Sequence, residues 1–184
     1  MRAFGKITAV ISLLTVILNF FSCGGDNSYR HCEILLSLPE EYESAPPDEP
    51  FLIYDASGGA NMFLLSSSGS VDMAFTDLVS VISLSRISKE AAYDEGIPPV
   101  MSQLEFARYY RSQSGGGTEV MLHSEIPYYT YTKTSDGGVE LSFLMTFYAT
   151  PNAYFIVSYI TASDRAVSLQ DSFLDIAADV EFTE

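Results

Sequence analysis

Over most of this chain hydrophobic and polar residues alternate with a period of two, as half-buried strands do, and in two stretches the period lengthens toward that of a helix. Cys32, Ile34 and Leu36 alternate with Glu33, Leu35 and Ser37 ahead of Pro39, which predicts a first strand. The acidic, proline-rich run from Glu40 to Pro50 predicts a loop. Phe51–Tyr54 and Asn61–Leu65 flank Asp55-Ala-Ser-Gly-Gly-Ala60, whose glycines permit the positive φ of a hairpin turn. Ser66 to Ser70 predicts another turn. Val79–Leu84, rich in β-branched residues, predicts a further strand, and one helical turn is expected around Ser88 to Tyr93.

Ser102 and Glu105 stand three apart ahead of Phe106, Tyr109 and Tyr110, the spacing of a capping box, so a helix is predicted over 101–113 with Gly115-Gly-Gly117 as its stop. Beyond it Glu119–His123, Pro127–Lys133, Val139–Ala149 and Ala153–Thr161 read as strands. Compact turns at Ser135–Gly138 and Thr150–Asn152 make the last three an antiparallel meander. In the longest, Val139, Leu141, Phe143, Met145 and Phe147 share one apolar face, while the other is mixed. Val167, Phe173, Leu174, Ile176 and Ala177 fall near helical spacing, with Asp164 or Ser168 as a possible cap and a short extension at Val180–Phe182.

The first 22 residues change where this body is expected to work. Arg2 and Lys6 precede an apolar run from Ile7 to Phe21, followed by Ser22, Cys23, Gly24 and Gly25. A basic start, a short apolar core and a small-residue junction mark an export signal, and the run is shorter than the roughly 20 residues that span a bilayer. With cysteine after the small residue, the segment resembles a bacterial lipoprotein signal, which implies removal of residues 1–22 and acylation of Cys23. Two or three acyl chains hold a protein on a membrane where one holds it only marginally. The expected location is therefore extracytoplasmic, moored to the cell membrane or outer membrane. Residues 23–30 read as a polar tether of at most roughly 24 Å, and 31–184 as a single globular domain.

Without its first 22 residues the chain carries seven basic against 24 acidic residues, a net charge of −17. Such a surface repels nucleic acid and anionic headgroups, so no nucleic-acid partner is expected and the lipid must supply the attachment. Of the two cysteines, Cys23 is assigned to lipid, which leaves Cys32 without a partner in the chain. The fold must rest on its core and not on disulfides.

Strands, a helix, an antiparallel meander and a closing helix indicate an α+β fold, a central, mostly antiparallel sheet covered by helices. "LSLPEEYE" at Leu36–Glu43 and the closing "AYFIVSYITASDRAVSLQDSFLDIAADVEF" from Ala153 resemble the PsbP-like superfamily. That fold family includes the extrinsic PsbP subunit of photosystem II and a Ran-binding import factor. The resemblance implies an α/β/α sandwich that serves as an accessory subunit.

Candidate chemistry is sparse. His31 and His123 are the only histidines, and neither stands in a nucleophile-elbow, serine-lysine or metalloprotease pattern. His31, Cys32 and Glu33 offer three ligand types in a row, but strand alternation lets at most two share an ion, and Cys32 is expected to be a small buried strand residue. Glu40, Glu41, Glu43, Asp48 and Glu49 could supply oxygen ligands, yet prolines interrupt them and no calcium-loop spacing is present. No metal or cofactor is expected. Tyrosine supplies apolar area with a hydroxyl and suits interfaces. Tyr129, Tyr131 and Tyr148 are accordingly the expected surface for an unidentified protein partner in an envelope assembly. The alternative is a small-ligand carrier or hydrolase with a site between sheet and helix, for which a cleft lined by His123, Glu125 and tyrosines would be the sign.

Overall fold

A computed structural model describes residues 27–65, 71–135 and 137–183. Cys23, and with it the expected lipidation, lies outside the described residues, as does the turn at 66–70. The strands are β1 (Asn27–His31), β2 (Ile34–Leu38), β3 (Glu43–Ala45), β4 (Phe51–Tyr54), β5 (Ala60–Phe63), β6 (Met73–Thr76), β7 (Ser80–Ser88), β8 (Met121–His123), β9 (Ile126–Thr134), β10 (Glu140–Ala149), β11 (Ala153–Ala162) and β12 (Glu181–Phe182). The helices are α1 (Lys89–Asp94), α2 (Gln103–Ser114) and α3 (Ala166–Ala178). Among the described residues, seven strands make one antiparallel sheet in the order β3-β6-β7-β11-β10-β9-β8; β1, β2 and β12 make a smaller sheet, and β4 pairs with β5. This is the α+β architecture the pattern implies. No helix of the described residues is long and apolar enough to cross a membrane.

The central strands bury both faces, and each face is covered differently. On one, α3 and β2 cover a single core in which Ile34, Leu36 and Leu38 meet Leu84, Tyr148, Phe155, Tyr159, Phe173 and Ile176. On the other, two cores stand apart. Phe106 and Ala107 of α2 pack on Tyr129, Met145, Phe147, Tyr154 and Ile156. Phe51, Ile53 and Phe63 of the β4–β5 hairpin pack on Val81, Leu141, Ile160 and Ala162. Strand β10 shows the cause: Leu141, Met145 and Phe147 enter the second and third cores while Leu144 and Tyr148 enter the first, because successive side chains leave opposite faces.

Helix α2 begins as its sequence predicts. The Ser102 side chain accepts from the Glu105 amide, and the Glu105 carboxylate accepts from the Ser102 amide at 2.9 Å. Gly115 ends the helix in the left-handed region at φ 70°, and Gly117 brings the chain so close to β9 that a Cβ there would sit 2.6 Å from the Thr130 carbonyl. Ser102→Ala is expected to cost about 1 kcal/mol in urea unfolding.

The β4–β5 hairpin is held at its turn by Asp55. Its carboxylate accepts from the amides of Ser57 (3.0 Å) and Gly59 (2.8 Å), and from the side chains of Ser57 (2.7 Å) and Asn61 (3.2 Å). These bonds, led by that from the Ser57 hydroxyl, lower its pKa from 3.8 to about 2. A depressed carboxyl contributes stability that is present above its unfolded value and is lost as pH falls toward about 2. Asp55→Asn should therefore flatten the decline of stability between pH 4 and pH 2, as read by acid titration of near-UV circular dichroism.

Several expectations are corrected. Residues Asn27–Arg30 of the expected tether, together with His31, pair with β2 as a strand. Cys32 is exposed, at φ 52° in the turn between β1 and β2, not buried in a strand. The loop over Glu40–Pro50 contains β3, an edge strand that needs bonds on one side only and so tolerates neighbouring prolines. Strand β6 had no predicted counterpart. Val167 is 90% exposed and lies off the core face of α3, whose N-cap is Arg165 without a side-chain cap bond. Asp164 instead accepts from the Ala56 amide at 3.0 Å.

Candidate functional site

Between α2 and the β4–β5 hairpin none of the described residues covers the sheet face, and a groove of about 830 Å³ is left there. Its size falls in the usual range for small-ligand sites, roughly 300–1,000 Å³. Local sequence on two neighbouring strands produces it. On β7 the residues on this face run Val81, Ser83, Ser85, Ile87, and on β11 they run Ile160, Ser158, Ile156, Tyr154, with Ser83 directly opposite Ser158. Large side chains at either end meet the two covering units. The serines between are too short to fill the space, so the two cores do not merge.

The floor continues across β10 through Met145 and Phe143 and reaches Tyr131 on β9, with Tyr110 of α2 on one wall and Phe63 and Leu65 on the other. Tyr131 stacks on Phe143 with ring centres 4.6 Å apart and planes 5° apart. Burial pushes the Tyr131 phenol well above its ordinary range, with Tyr129 and Tyr110 adding to the shift, and burial likewise raises Tyr110. Both remain neutral hydroxyls at physiological pH. The charged residues at the groove, Asp48 and Lys133, are exposed and stand at its rim.

The three tyrosines expected to form a partner surface do not share one. Tyr129 is fully buried under α2, with its hydroxyl 3.3 Å from that of Ser114. Tyr148 is buried on the opposite face, where its hydroxyl donates to the Ala177 carbonyl at 2.9 Å. Only Tyr131 reaches the groove. The physical reason is that α2 covers one face of the sheet at Tyr129 and α3 covers the other at Tyr148, so alternation divides these tyrosines between two interiors.

His31, Cys32 and Glu33 also part company. His31 Nε2 lies 3.9 Å from Asp72, Cys32 faces solvent, and the Glu33 carboxylate accepts from Thr150 and Asn152, which lowers its pKa. His123 and Glu125 sit at the β8–β9 hairpin on the sheet edge and do not line the groove. No three His, Cys, Asp or Glu side chains come together as metal ligands among the described residues. Sequence reasoning missed Ser83, Ser85 and Ser158. The signal was present in β7, where a two-residue period of serines interrupts a Val81–Ile87 face.

No family model and no curated protein matches the chain. Its fold resembles that of a protein from Bacteroides thetaiotaomicron, with a TM-score of 0.53 at 8% identity over 86% of this chain and 49% of that one. The chain thus spans about half the length of that structure, and the likeness is one of fold alone. It is also similar to the cyanobacterial PsbP protein CyanoP of Synechocystis, with a TM-score of 0.47 and 15% identity over 90% of this chain and 99% of that one. LpqN of Mycobacterium tuberculosis, described as involved in cell envelope biogenesis, gives a TM-score of 0.33 at 12% identity, covering 89% of this chain and 88% of that one.

Proposed function

We propose that this chain is an extracytoplasmic lipoprotein, anchored through Cys23, that binds a small ligand in the groove between α2 and the β4–β5 hairpin without transforming it. The observation that carries this reading is the groove of about 830 Å³. It has apolar and aromatic walls, a few hydroxyls, and no histidine or cysteine among its lining residues. A nucleophile in such a site would need a base within hydrogen-bond reach, and among the described residues the serines of the floor have no hydrogen-bonded base. The signal-like sequence before Cys23 and the strongly acidic body support placement on the outer side of a membrane, held by lipid and not by charge. An unidentified protein partner remains compatible with this role, but the buried Tyr129 and Tyr148 are not its docking surface.

Mass spectrometry of protein isolated from its own membranes tests both parts. The N-terminal peptide should begin at an acylated Cys23, and an organic extract should release a ligand near one per chain. An unmodified thiol with residues 1–22 still attached would overturn the anchor. The absence of any extractable ligand would overturn the carrier role.

A further inference from the structure

We propose that the ligand of the groove is an uncharged amphiphile, an apolar body roughly 14 Å long carrying an alcohol, ester or ketone group at one end. This rests on reading the groove as the binding site and adds what the site selects. Ser83 is 4% exposed, yet its hydroxyl makes no hydrogen bond within the described chain and faces the groove opposite Ser158. Ser85 stands two residues further along the same face. The hydroxyl is not sealed from the groove, so an incoming polar group can take up its hydrogen bond in place of water. Because serine both donates and accepts, the pair Ser83 and Ser158 can receive an alcohol, an ester or a ketone equally well.

Charge decides what the polar end is not. No acidic or basic residue lies on the floor, and Asp48 and Lys133 are exposed at the rim. A carboxylate or ammonium placed against the serines would lose its hydration without gaining a counter-ion, which disfavours it strongly. The net charge of −17 carried by the chain from Cys23 onward disfavours an anion further.

From the serines the floor runs across strands β7, β11, β10 and β9, three strand spacings or roughly 14 Å. Along that path Ile156, Met145, Phe143 and Tyr131 present apolar and aromatic surface. Met145 can adjust to an irregular body because its side chain is unbranched and polarizable. A peptide is a poor fit here. Strands β7, β11 and β10 lie between sheet neighbours, and β8 pairs with β9 only over Ile126–Tyr128, so main-chain groups open to an extended segment lie at the outer edge of β9 and not along the floor.

The test uses the full-length protein in its native membrane vesicles and three photoactivatable probes of equal length, diazirine-bearing decanol, decanoate and decyltrimethylammonium. The decanol probe should label the peptides containing Met145 and Ser158 about tenfold more than either charged probe, a difference worth about 1.4 kcal/mol. Ser158→Phe, which fills the floor, should abolish that labelling. Ser83→Ala, which removes one hydroxyl and keeps the fold as judged by circular dichroism, should reduce it about 2- to 10-fold. Equal or stronger labelling of the groove by a charged probe overturns the ligand class and leaves the groove as the binding site. Labelling of the groove by none of the three overturns both, and unchanged labelling of Ser83→Ala overturns the role given to the hydroxyls.

Discussion

Replacing Phe106 by alanine should lower the stability of this protein by about 3–5 kcal/mol, the cost of emptying a large aromatic site in a packed core. Phe106 is fully buried and touches three rings, two of them on the sheet. It stacks on Tyr154 at 4.1 Å between centres, meets Phe147 edge-on at 5.7 Å and contacts Tyr110 at 6.1 Å. Together with Tyr110, which packs on Phe147 at 5.6 Å, it fastens α2 to the sheet, so α2 loses anchorage along with the buried area. Urea unfolding followed by far-UV circular dichroism reads the effect as a lower midpoint with an unchanged slope. A loss below about 1 kcal/mol would mean that α2 is held by something other than this core.

Arg165→Ala is the second large effect. Its guanidinium donates to the carbonyls of Tyr54 at 2.9 Å and Asp55 at 2.8 Å, tying the start of α3 to the β4–β5 hairpin across more than a hundred residues of chain. Hydrogen bonds to a charged group contribute more than neutral ones, and removing the donor takes the guanidinium from the Tyr54 carbonyl and leaves that of Asp55 with the Gly58 amide alone, at 3.1 Å. The expected loss is about 2–3 kcal/mol. Arg165→Lys should recover only part of it, since an ammonium lacks the planar fork that reaches both carbonyls. Amide exchange should quicken first in Phe51–Tyr54, because β4 and β5 join no other strand and the hairpin is tied outside itself by Arg165, by the Tyr54 amide on the Leu78 carbonyl and by the Ala56 amide on Asp164. Uniform quickening across β7, β10 and β11 instead would show that the bond stabilises the whole sheet and not the hairpin.

The two effects bear on the same place, because α2 and the hairpin are the walls of the groove. Each wall is fixed independently, one by an aromatic stack and the other by a charged clamp. Their separation is set by the short serines between them. A groove held in this way is formed before any ligand arrives, which limits the ordering cost of binding.

Much of the fold was legible from local pattern. The meander β9–β10–β11 follows from long alternating runs and compact turns. Helix α2 follows from Ser102, Glu105 and Gly115, and the β4–β5 hairpin follows from Asp55–Ala60. Elements with weak local signals were not legible. Strand β1 is polar because it covers one side of β2 near solvent, β3 hides among prolines because an edge strand needs few bonds, and β6 has only four residues. Helix α3 was legible as a helix from Phe173, Leu174, Ile176 and Ala177, but its cap was not, and Val167 misled as to its face.

The candidate site was hardly legible at all. Tyrosines 129, 131 and 148 drew attention because their residue type suits interfaces, yet which of them is exposed depends on what covers each face of the sheet. That covering comes from α2 and α3, neither adjacent in sequence to all three. The groove depends on register, since Ser83 matters only because Ser158 lies opposite it. Pairing over 75 positions of chain is not written in either segment alone.

An experimental structure of the protein isolated from its own membranes tests the central claim most directly. A non-protein molecule lying along Ser83, Ser158, Met145 and Tyr131, between α2 and the β4–β5 hairpin, is the predicted result. The account is contradicted if α2 and the hairpin meet over those serines and leave no space between them.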